Sequence, residues 1–265
     1  MIPLRDRNPT RRTPVITLAL IALNVAVYLF VQPQGLDLLN RDSGGDIDSS
    51  VARFNFEHAA IPCEITTGRP LSPEQLALTI NPGLLDVSAC KPPAQSDPIF
   101  PDKPVLLAIV FSMFFHGNLL HLGGNMLFLW IFGNNIEDRL GVARYLGFYL
   151  LAGLAATLAH IAVQPDSTVP IIGASGAVAG VMGAYLVWYP NAPVLTAFVF
   201  LFIFLREIAA KWLLAFWFVS QFFVNPNEGV AWAAHVGGFI FGAAIALLAR
   251  TTAIARNSNR GASFP

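Results

Sequence analysis

The chain has 265 residues, of which 55% are hydrophobic and 12% are charged. A soluble domain carries about 25% charged residues, and a disordered chain is poor in apolar ones, so this composition excludes both classes. The 16 basic and 16 acidic residues cancel, which leaves no net basic field to attract nucleic acid. Five histidines and two cysteines are too few for a cysteine-rich metal domain, and we expect no metal or other cofactor. The remaining class is a membrane protein that crosses the bilayer several times.

Apolar runs along the chain predict the helices that cross the membrane. Two runs, 105–115 and 193–205, are short for a span of roughly 20 residues and fit interfacial or re-entrant segments better. Six others approach that length and contain no charge beyond a terminal lysine in the fifth. These six are residues 15–31, 119–136, 145–163, 170–189, 211–224 and 230–249. The sequence therefore predicts an all-α membrane protein with six transmembrane helices and a long first loop outside the cytoplasm.

The lysines and arginines predict the direction of these spans. If the N-terminus is cytoplasmic, every short loop that carries a basic residue is also cytoplasmic, as the positive-inside rule requires. The basic residues left outside all lie in one long loop, where charge hardly affects topology. They are Arg41, Arg53, Arg69, Lys91 and Lys103. We therefore expect both termini in the cytoplasm, and a bacterial plasma membrane suits the short N-terminus.

This topology divides the chain into five parts. We expect a retained first span rather than a cleaved signal peptide, because 17 apolar residues are long for a signal and no small-x-small site follows. The parts, in order, are a cytoplasmic segment (1–14), the first span (15–31), a non-cytoplasmic loop (32–104), a core with spans two to six (105–249) and a cytoplasmic tail (250–265).

The long loop is the one water-loving region, and it contains both cysteines. Ten of the 19 prolines and ten of the 16 acidic residues lie in it, which favours turns over long helices. Cys63 and Cys90 would face a side of the membrane that is commonly oxidising, which favours a disulfide. Two unpaired thiols are the alternative, and the distance between the residues decides.

Polar residues interrupt three of the apolar runs. His121 and Asn125 are four apart and share a helix face, so both can donate hydrogen bonds into one space. Ser175 lies in the run Gly-Ala-Ser-Gly at the start of the fourth span, where free backbone N–H groups favour a developing oxyanion. His235 lies about one and a half turns from the outer end of the sixth span. The alternative for each is structural: helix-bridging hydrogen bonds for the polar side chains, and close packing for the glycines.

Counting the crossings places these residues at one depth. Ser175, His235 and the pair His121 and Asn125 all lie near the outer ends of inward-running spans. A serine needs a base to act as a nucleophile at neutral pH, and histidine is the usual one. Because the spans contain no Asp or Glu near these positions, the pattern indicates a Ser–His dyad with the His121 and Asn125 side chains and the Ser175 N–H as oxyanion donors.

These residues resemble the rhomboid family of intramembrane serine proteases, over residues 111–248. The matching stretches are HGNLLHLGGNMLFLWIFGNNIEDRLG (116–141), GASGAVAG (173–180) and AHVGGFIFG (234–242). The resemblance implies six helices around a water-filled cavity, with Ser175 as nucleophile and His235 as general base. It also implies that His121 and Asn125 support the oxyanion. His116 matches a family histidine just ahead of this pair and is expected to be a supporting residue.

The resemblance also assigns supporting roles to small residues. Gly173 and Gly176 belong to the serine motif, and Gly238 with Gly242 would let the histidine helix pack tightly against the serine helix. The chain departs from the family at Ala179, where many members carry an aromatic residue that stacks on the histidine. It also lacks the family's Trp-Arg pair in the first loop, which here is longer and suggests an inserted ectodomain.

The leading hypothesis is that the chain hydrolyses peptide bonds of single-pass membrane proteins in or near their transmembrane segments. A catalytically silent relative that binds membrane helices would usually lack the serine or the histidine, and both are present. A transporter would more naturally carry acidic residues in mid-span. The resemblance makes residues 225–229 and the fifth span candidates for a moving gate, and the oligomeric state stays open.

Overall fold

The computed structural model describes residues 1–33, 50–80, 87–90, 96–199, 203–224 and 230–261. Most of these residues are helical. The helices are α1 (Val15–Phe30), α2 (Ser50–His58), α3 (Pro62–Thr67), α4 (Pro73–Ile80), α5 (Ala108–Ser112), α6 (Leu119–Leu140), α7 (Val142–Val163), α8 (Ser175–Trp188), α9 (Ala210–Ser220) and α10 (Trp232–Gly261). Two 3₁₀ turns, Val87–Cys90 and Gln221–Phe223, and three strands complete the described elements.

Helix α6 begins at a capping asparagine and ends at a single glycine that leads directly into α7. Asn118 caps the start of α6 by accepting a hydrogen bond from the backbone N–H of His121 at 2.8 Å. Gly141 ends that helix with a positive φ of 77°, a conformation that glycine adopts without strain. Because α7 starts at the next residue, the two helices pack antiparallel.

A buried carboxylate joins the first helix to the end of α6. The two Glu137 oxygens accept hydrogen bonds from the backbone N–H groups of Ile16 and Thr17, each at 2.8 Å. These N–H groups belong to the first turn of α1 and have no partner within the helix. The N-terminus of α1 therefore lies beside the C-terminus of α6, and the two helices run in opposite directions.

Small residues set the direction and spacing of α7, α8 and α10. A Cβ added at Gly176 or Gly180 of α8 would collide with Ala156 or Ala152 of α7, so these helices are antiparallel. A Cβ added at Gly238 or Gly242 of α10 would collide with the carbonyl oxygen of Gly176 or Gly180, in the same order along both helices. Thus α8 and α10 are parallel and nearly in backbone contact, as small-xxx-small packing allows.

The centre of the bundle is filled by large side chains from α6, α7 and α8. Phe132, Tyr145, Tyr149 and Tyr185 are fully buried there. The ring of Phe132 meets that of Tyr185 edge to face, with centroids 4.9 Å apart. Such aromatic contacts stabilise the packing of α6 on α8 beyond the area that they bury.

By length and composition, two of the described helices could each cross a bilayer unaided. These are Val142–Val163 and the part of α10 from Trp232 to Thr251. Val15–Phe30 and Ser175–Trp188 are apolar but shorter, and α9 has 11 residues. The arrangement of six spans stays a prediction.

The expectation of an all-α fold is wrong in one respect, because three strands form a sheet. Strands β1 (Ile2–Asp6), β2 (Pro193–Val199) and β3 (Ile203–Ala209) pair antiparallel in the order β1-β2-β3. For the run 193–205 the sequence predicts an interfacial or re-entrant segment, but its described residues, 193–199 and 203–205, instead lie in β2 and at the start of β3. Their many β-branched and aromatic residues favour strands, and β1 comes from the other end of the chain, which no local pattern reveals.

The segment before α5 forms a small unit held by a disulfide and an ion pair. Cys63 and Cys90 are joined by a disulfide. The buried ammonium of Lys103 lies 2.6 Å from the buried carboxylate of Glu64. Burial raises the pKa of Glu64 and lowers that of Lys103, and the charge of each partner offsets part of the shift of the other.

This unit binds the segment that precedes Ser175. The N–H of Cys63 donates to the carbonyl of Ser167 at 2.9 Å, and the N–H of Ile171 donates to the carbonyl of Ala60 at 2.8 Å. The Thr79 hydroxyl donates to that of Thr168 at 2.7 Å. The described part of the long loop is therefore anchored to residues 167–171.

Candidate active site

Ser175 and His235 are in direct contact at the ends of two parallel helices. Ser175 is the first residue of α8, and His235 lies in the first turn of α10. The serine Oγ is 2.8 Å from the histidine Nε2. The two residues are 60 apart in sequence, and the glycine packing of α8 on α10 holds their helices close enough for this bond.

The other ring nitrogen of His235 identifies the tautomer. Its Nδ1 lies 2.7 Å from the Oε1 atom of Gln221, which can only accept. The Gln221 amide has this orientation because its Nε2 donates to the carbonyl oxygen of Trp217 at 3.0 Å. Nδ1 of His235 therefore carries the proton, and Nε2 is left to accept the hydrogen bond from the Ser175 hydroxyl.

Gln221 contacts this candidate site and was not predicted from the sequence. It lies in the 3₁₀ turn after α9, within the run assigned to the fifth span, and it is 6% exposed. An amide inside an apolar run is a signal in itself, because polar groups in spans usually face a cavity or a partner. That signal was available in the sequence.

His121 presents a hydrogen-bond donor toward the serine. Its Nδ1 accepts a hydrogen bond from the N–H of Gly117 at 3.3 Å, so a neutral ring carries its proton on Nε2. A Cβ added at Gly173 would lie 2.9 Å from the Nε2 of His121 and 3.5 Å from the Oγ of Ser175. The Nε2–H group of His121 thus lies beside Gly173, two residues before Ser175.

Asn125 lies one turn further along α6 on the same face. Its Nδ2 donates one hydrogen bond to the carbonyl of His121 at 3.0 Å, which leaves its second amide hydrogen for another acceptor. Asn125, His121, Ser175 and His235 all line one cavity. The structure therefore brings together the four residues on which the predicted chemistry depends.

His116 lies behind His121 rather than in the cavity wall. It is fully buried, and its ring meets that of His121 edge to face at 5.1 Å. The Gln32 amide accepts from the His116 backbone N–H at 2.9 Å and donates to its carbonyl at 3.1 Å. These contacts fix the segment before α6 and with it the position of the His121 ring.

Gly173 has a conformation that other residues rarely adopt. Its φ is +123°, and its N–H donates to the Ser112 carbonyl at 2.9 Å. A side chain at this position would be strained whatever the space around it. Glycine is therefore required both by the backbone and by the nearby ring of His121.

Ala179 is fully buried in the core, so no aromatic ring stacks on His235 from this position. Trp217 of α9 packs beside the histidine instead, with ring centroids 5.9 Å apart and a tilt of 41°. The ring of His235 is thus held by one indole and one amide, and both come from α9 and the turn that follows it.

The cavity beside Ser175 has a volume of about 1000 Å³. Besides the residues above, its lining includes His160, Gln164, Thr168 and Trp217. Thr79 of the long loop also reaches it. This volume is at the upper end of what a small-molecule pocket occupies and can hold several residues of an extended chain.

Residues 225–229, predicted as a gate, lie outside the described residues. Across the described ranges, no group of three or more His, Cys, Asp or Glu side chains is arranged to hold a metal ion.

The fold and the site define a helical membrane protein with a serine and a histidine hydrogen-bonded at the wall of an internal cavity. The family model of the rhomboid domain matches residues 104–252, just over half of the chain. The chain belongs to the rhomboid family.

Curated relatives share this part of the chain. Rhomboid protein 1, mitochondrial, of Saccharomyces cerevisiae is 34% identical over 146 residues, which cover 52% of this chain and 34% of the relative. Presenilin-associated rhomboid-like protein, mitochondrial, of Homo sapiens is 29% identical over 147 residues, or 53% and 37%. RHOMBOID-like protein 5 of Arabidopsis thaliana is 28% identical over 134 residues, or 51% and 41%. The matched part thus spans about a third to two fifths of the length of these relatives.

Proposed function

We propose that this protein is an intramembrane serine endopeptidase that cleaves single-pass membrane proteins in or near their transmembrane segments. The observation that carries the proposal is the 2.8 Å contact between Ser175 Oγ and His235 Nε2 at the wall of the cavity. Membership of the rhomboid family supports the same activity, and neither a metal nor another cofactor is required for it.

In the first step, Ser175 Oγ attacks the scissile carbonyl carbon while its proton passes to His235 Nε2. The carbonyl oxygen becomes an oxyanion. Donors within reach are the Nε2–H of His121, the free amide hydrogen of Asn125 and the backbone N–H of Ser175, which has no acceptor within the helix. The developing charge also lies at the N-terminus of α8, where the helix dipole stabilises it.

In the second half of the reaction, His235 gives the proton to the leaving amine as the C–N bond breaks. Water then attacks the acyl ester while His235 takes its proton. His235 returns this proton to Ser175 Oγ as the ester C–O bond breaks, which releases the carboxylic acid product and regenerates both residues. The substrate segment must unwind first, because an intact helix keeps its carbonyl groups in hydrogen bonds. The cavity beside Ser175 is large enough for such an extended segment.

We propose six spans with both termini in the cytoplasm and the catalytic residues toward the opposite face. The helix directions support this arrangement, because α6, α8 and α10 all carry their site residues at the end opposite to the N-terminus of α1. The basic residues support the orientation. Alkaline phosphatase fused after residue 265 should be inactive, and an active fusion would contradict it.

For the compartment we propose a bacterial plasma membrane. The yeast and human relatives are named as mitochondrial proteins, so an organelle membrane is the other compartment to test by fractionation. The division into the parts 1–14, 15–31, 32–104, 105–249 and 250–265 belongs to the same proposal.

A fluorophosphonate probe tests the activity without knowledge of the substrate. The detergent-solubilised protein should be labelled, and labelling should disappear in Ser175→Ala and in His235→Ala. Ser96→Ala, which removes a serine of the long loop, is the matched control and should be labelled like wild type. A folded wild type that is not labelled would contradict the proposal and favour a silent relative that binds membrane helices.

A further inference from the structure

Gln221 has the contacts of a third member of the Ser–His pair. Its Oε1 lies 2.7 Å from Nδ1 of His235, on the side of the ring away from Ser175. The ring is therefore held by a hydrogen bond at each nitrogen, one from α8 and one from the turn after α9. We propose that Gln221 is a positioning residue that keeps His235 in the tautomer and orientation in which Nε2 accepts the proton of Ser175.

The amide of Gln221 is itself fixed in the orientation that this role needs. Its Nε2 donates to the Trp217 carbonyl at 3.0 Å and to the Ser220 Oγ at 3.2 Å. The Ser220 hydroxyl donates to the same Trp217 carbonyl at 2.6 Å. A rotation of the amide by 180° would place Oε1 of Gln221 against the carbonyl oxygen of Trp217, so two acceptors would meet.

Burial makes this single acceptor important. Gln221 is 6% exposed, so little water is available to replace it as the partner of Nδ1. A neutral imidazole with an unsatisfied Nδ1–H would shift toward the tautomer that is protonated on Nε2. In that tautomer the nitrogen facing Ser175 is a donor and cannot take the serine proton.

The bond to Gln221 also becomes stronger during the reaction. When His235 accepts the serine proton it becomes an imidazolium, and the bond from Nδ1–H to Oε1 becomes charge-assisted. An interaction that strengthens in the transition state raises the rate of the chemical step rather than the affinity for the ligand. The expected effect of losing it is about ten- to a hundredfold on that rate.

Gln221 would orient His235 in place of the aromatic residue that the site lacks at position 179. Ala179 presents no ring to His235, so neither stacking nor a carboxylate from α8 orients the imidazole. Trp217 packs against one side of the ring at 5.9 Å, and its carbonyl oxygen anchors Gln221. The end of α9 thus supplies both the packing surface and the acceptor.

Two substitutions separate the acceptor from the shape of the side chain. Gln221→Met keeps the length but removes both the acceptor and the amide donor. In Gln221→Glu a protonated carboxyl keeps both, with one oxygen facing Nδ1 and the O–H facing the Trp217 carbonyl. Phe223→Ala truncates an exposed side chain of the same turn and is the matched control. The inference rests on the proposed function. The assay is the rate of labelling by the fluorophosphonate probe at several probe concentrations, which gives a maximal labelling rate and an apparent affinity for the probe.

Gln221→Met should lower the maximal labelling rate about ten- to a hundredfold, with the apparent affinity and the thermal midpoint close to wild type. Gln221→Glu should label within about threefold of wild type, as Phe223→Ala should. The inference is wrong if Gln221→Met labels at the wild-type rate, or if Gln221→Glu is as slow as Gln221→Met.

A spectroscopic readout keeps this test distinct from that of the proteolytic activity. In ¹⁵N-histidine-labelled full-length protein, the His235 signal, assigned by its loss in His235→Ala, should show a proton on Nδ1. In Gln221→Met it should shift toward the other tautomer. A wild type with this signal but no labelling would refute the proposed activity alone, whereas an unchanged signal in Gln221→Met would refute the role of Gln221.

Discussion

Gly173→Ala tests whether the approach to Ser175 places His121 as an oxyanion donor. The new Cβ would lie 2.9 Å from both Cε1 and Nε2 of His121. Carbon contacts are most favourable at about 3.5–4.0 Å, so the ring must move by roughly 0.5–1 Å. The φ of +123° adds a backbone cost of about 1–3 kcal/mol.

These two effects predict different readouts. An oxyanion donor acts within about 2.7–3.1 Å of the oxygen, and removing one costs about 10²–10³ in rate. A ring displaced by half an ångström or more should therefore lower the fluorophosphonate labelling rate by about ten- to a hundredfold. The backbone cost should lower the thermal midpoint by about 3–10 °C.

Gly123→Ala is the matched control for this substitution. Gly123 lies two residues after His121 on α6, and a Cβ there meets nothing within 4 Å. Alanine is the better helix former by about 0.5–1 kcal/mol, so this variant should label like wild type and melt no lower. Wild-type labelling by Gly173→Ala, or an equal loss in Gly123→Ala, would refute the reasoning.

Three further predictions concern residues that stabilise the fold around the site. Gly242→Ala should lower both the thermal midpoint and the labelling rate, because its Cβ collides with the Gly180 carbonyl, and overpacking of this kind costs about 1–3 kcal/mol. Cys63→Ser with Cys90→Ser should make the long loop sensitive to limited proteolysis, because opening a loop of 27 residues removes about 3–4 kcal/mol of chain-entropy stabilisation. The thermal midpoint of the wild type should increase as the pH falls from 7 to 4, and Asp6→Asn should reduce this increase.

The sign of the pH effect follows from the buried Asp6 carboxyl. Burial raises its pKa to about 6, although the Tyr185 hydroxyl donates to it at 2.7 Å. The folded state therefore binds a proton where the unfolded state, with a pKa near 3.8, does not. Stability is lowest above pH 6 and increases as the pH falls toward 4. An equal slope in Asp6→Asn would contradict this explanation.

The other two predictions have their own controls. Gly147 of α7 is the matched position for Gly242, because a Cβ there meets nothing within 4 Å, so Gly147→Ala should leave both measurements unchanged. Reduction of the wild type should reproduce the protease sensitivity of the double serine variant. If Gly242→Ala melts like wild type, α8 and α10 are not held as closely as their glycines indicate.

The proximity of Ser175 and His235 could be predicted from sequence because the evidence for it is local and cumulative. Ser175 and His235 each lie in a short motif of small residues, and counting crossings places both at one depth. The glycines of α8 and α10 are spaced four apart in sequence, which is the spacing that their contact requires. Glycines that recur at helical spacing therefore indicate which faces of the two helices are in contact.

Gln221 and the sheet could not be predicted in the same way, because their partners are distant. Gln221 carries no motif, and its significance comes from the Nδ1 of His235, which approaches it only after α10 folds back against α9. Strand β1 (Ile2–Asp6) pairs with β2 (Pro193–Val199), which lies far away in the sequence. An isolated strand of five residues gives little periodic signal, and nothing local specifies its partner.

The long loop shows why a departure from a family pattern can still serve the site. It contains no tryptophan and therefore lacks the Trp-Arg pair that the resemblance leads us to expect. Its described part nevertheless binds the segment before Ser175 through hydrogen bonds in which Cys63 and Thr79 donate and Ala60 accepts. That segment leads directly to Gly173, whose φ of +123° is readily adopted by glycine alone. Rigid anchoring of residues 167–171 limits the freedom of the three residues between them and the serine. The disulfide that closes the loop therefore contributes to the position of Ser175 as well as to the stability of the loop, and the cysteine variants should lose labelling rate in proportion to their protease sensitivity.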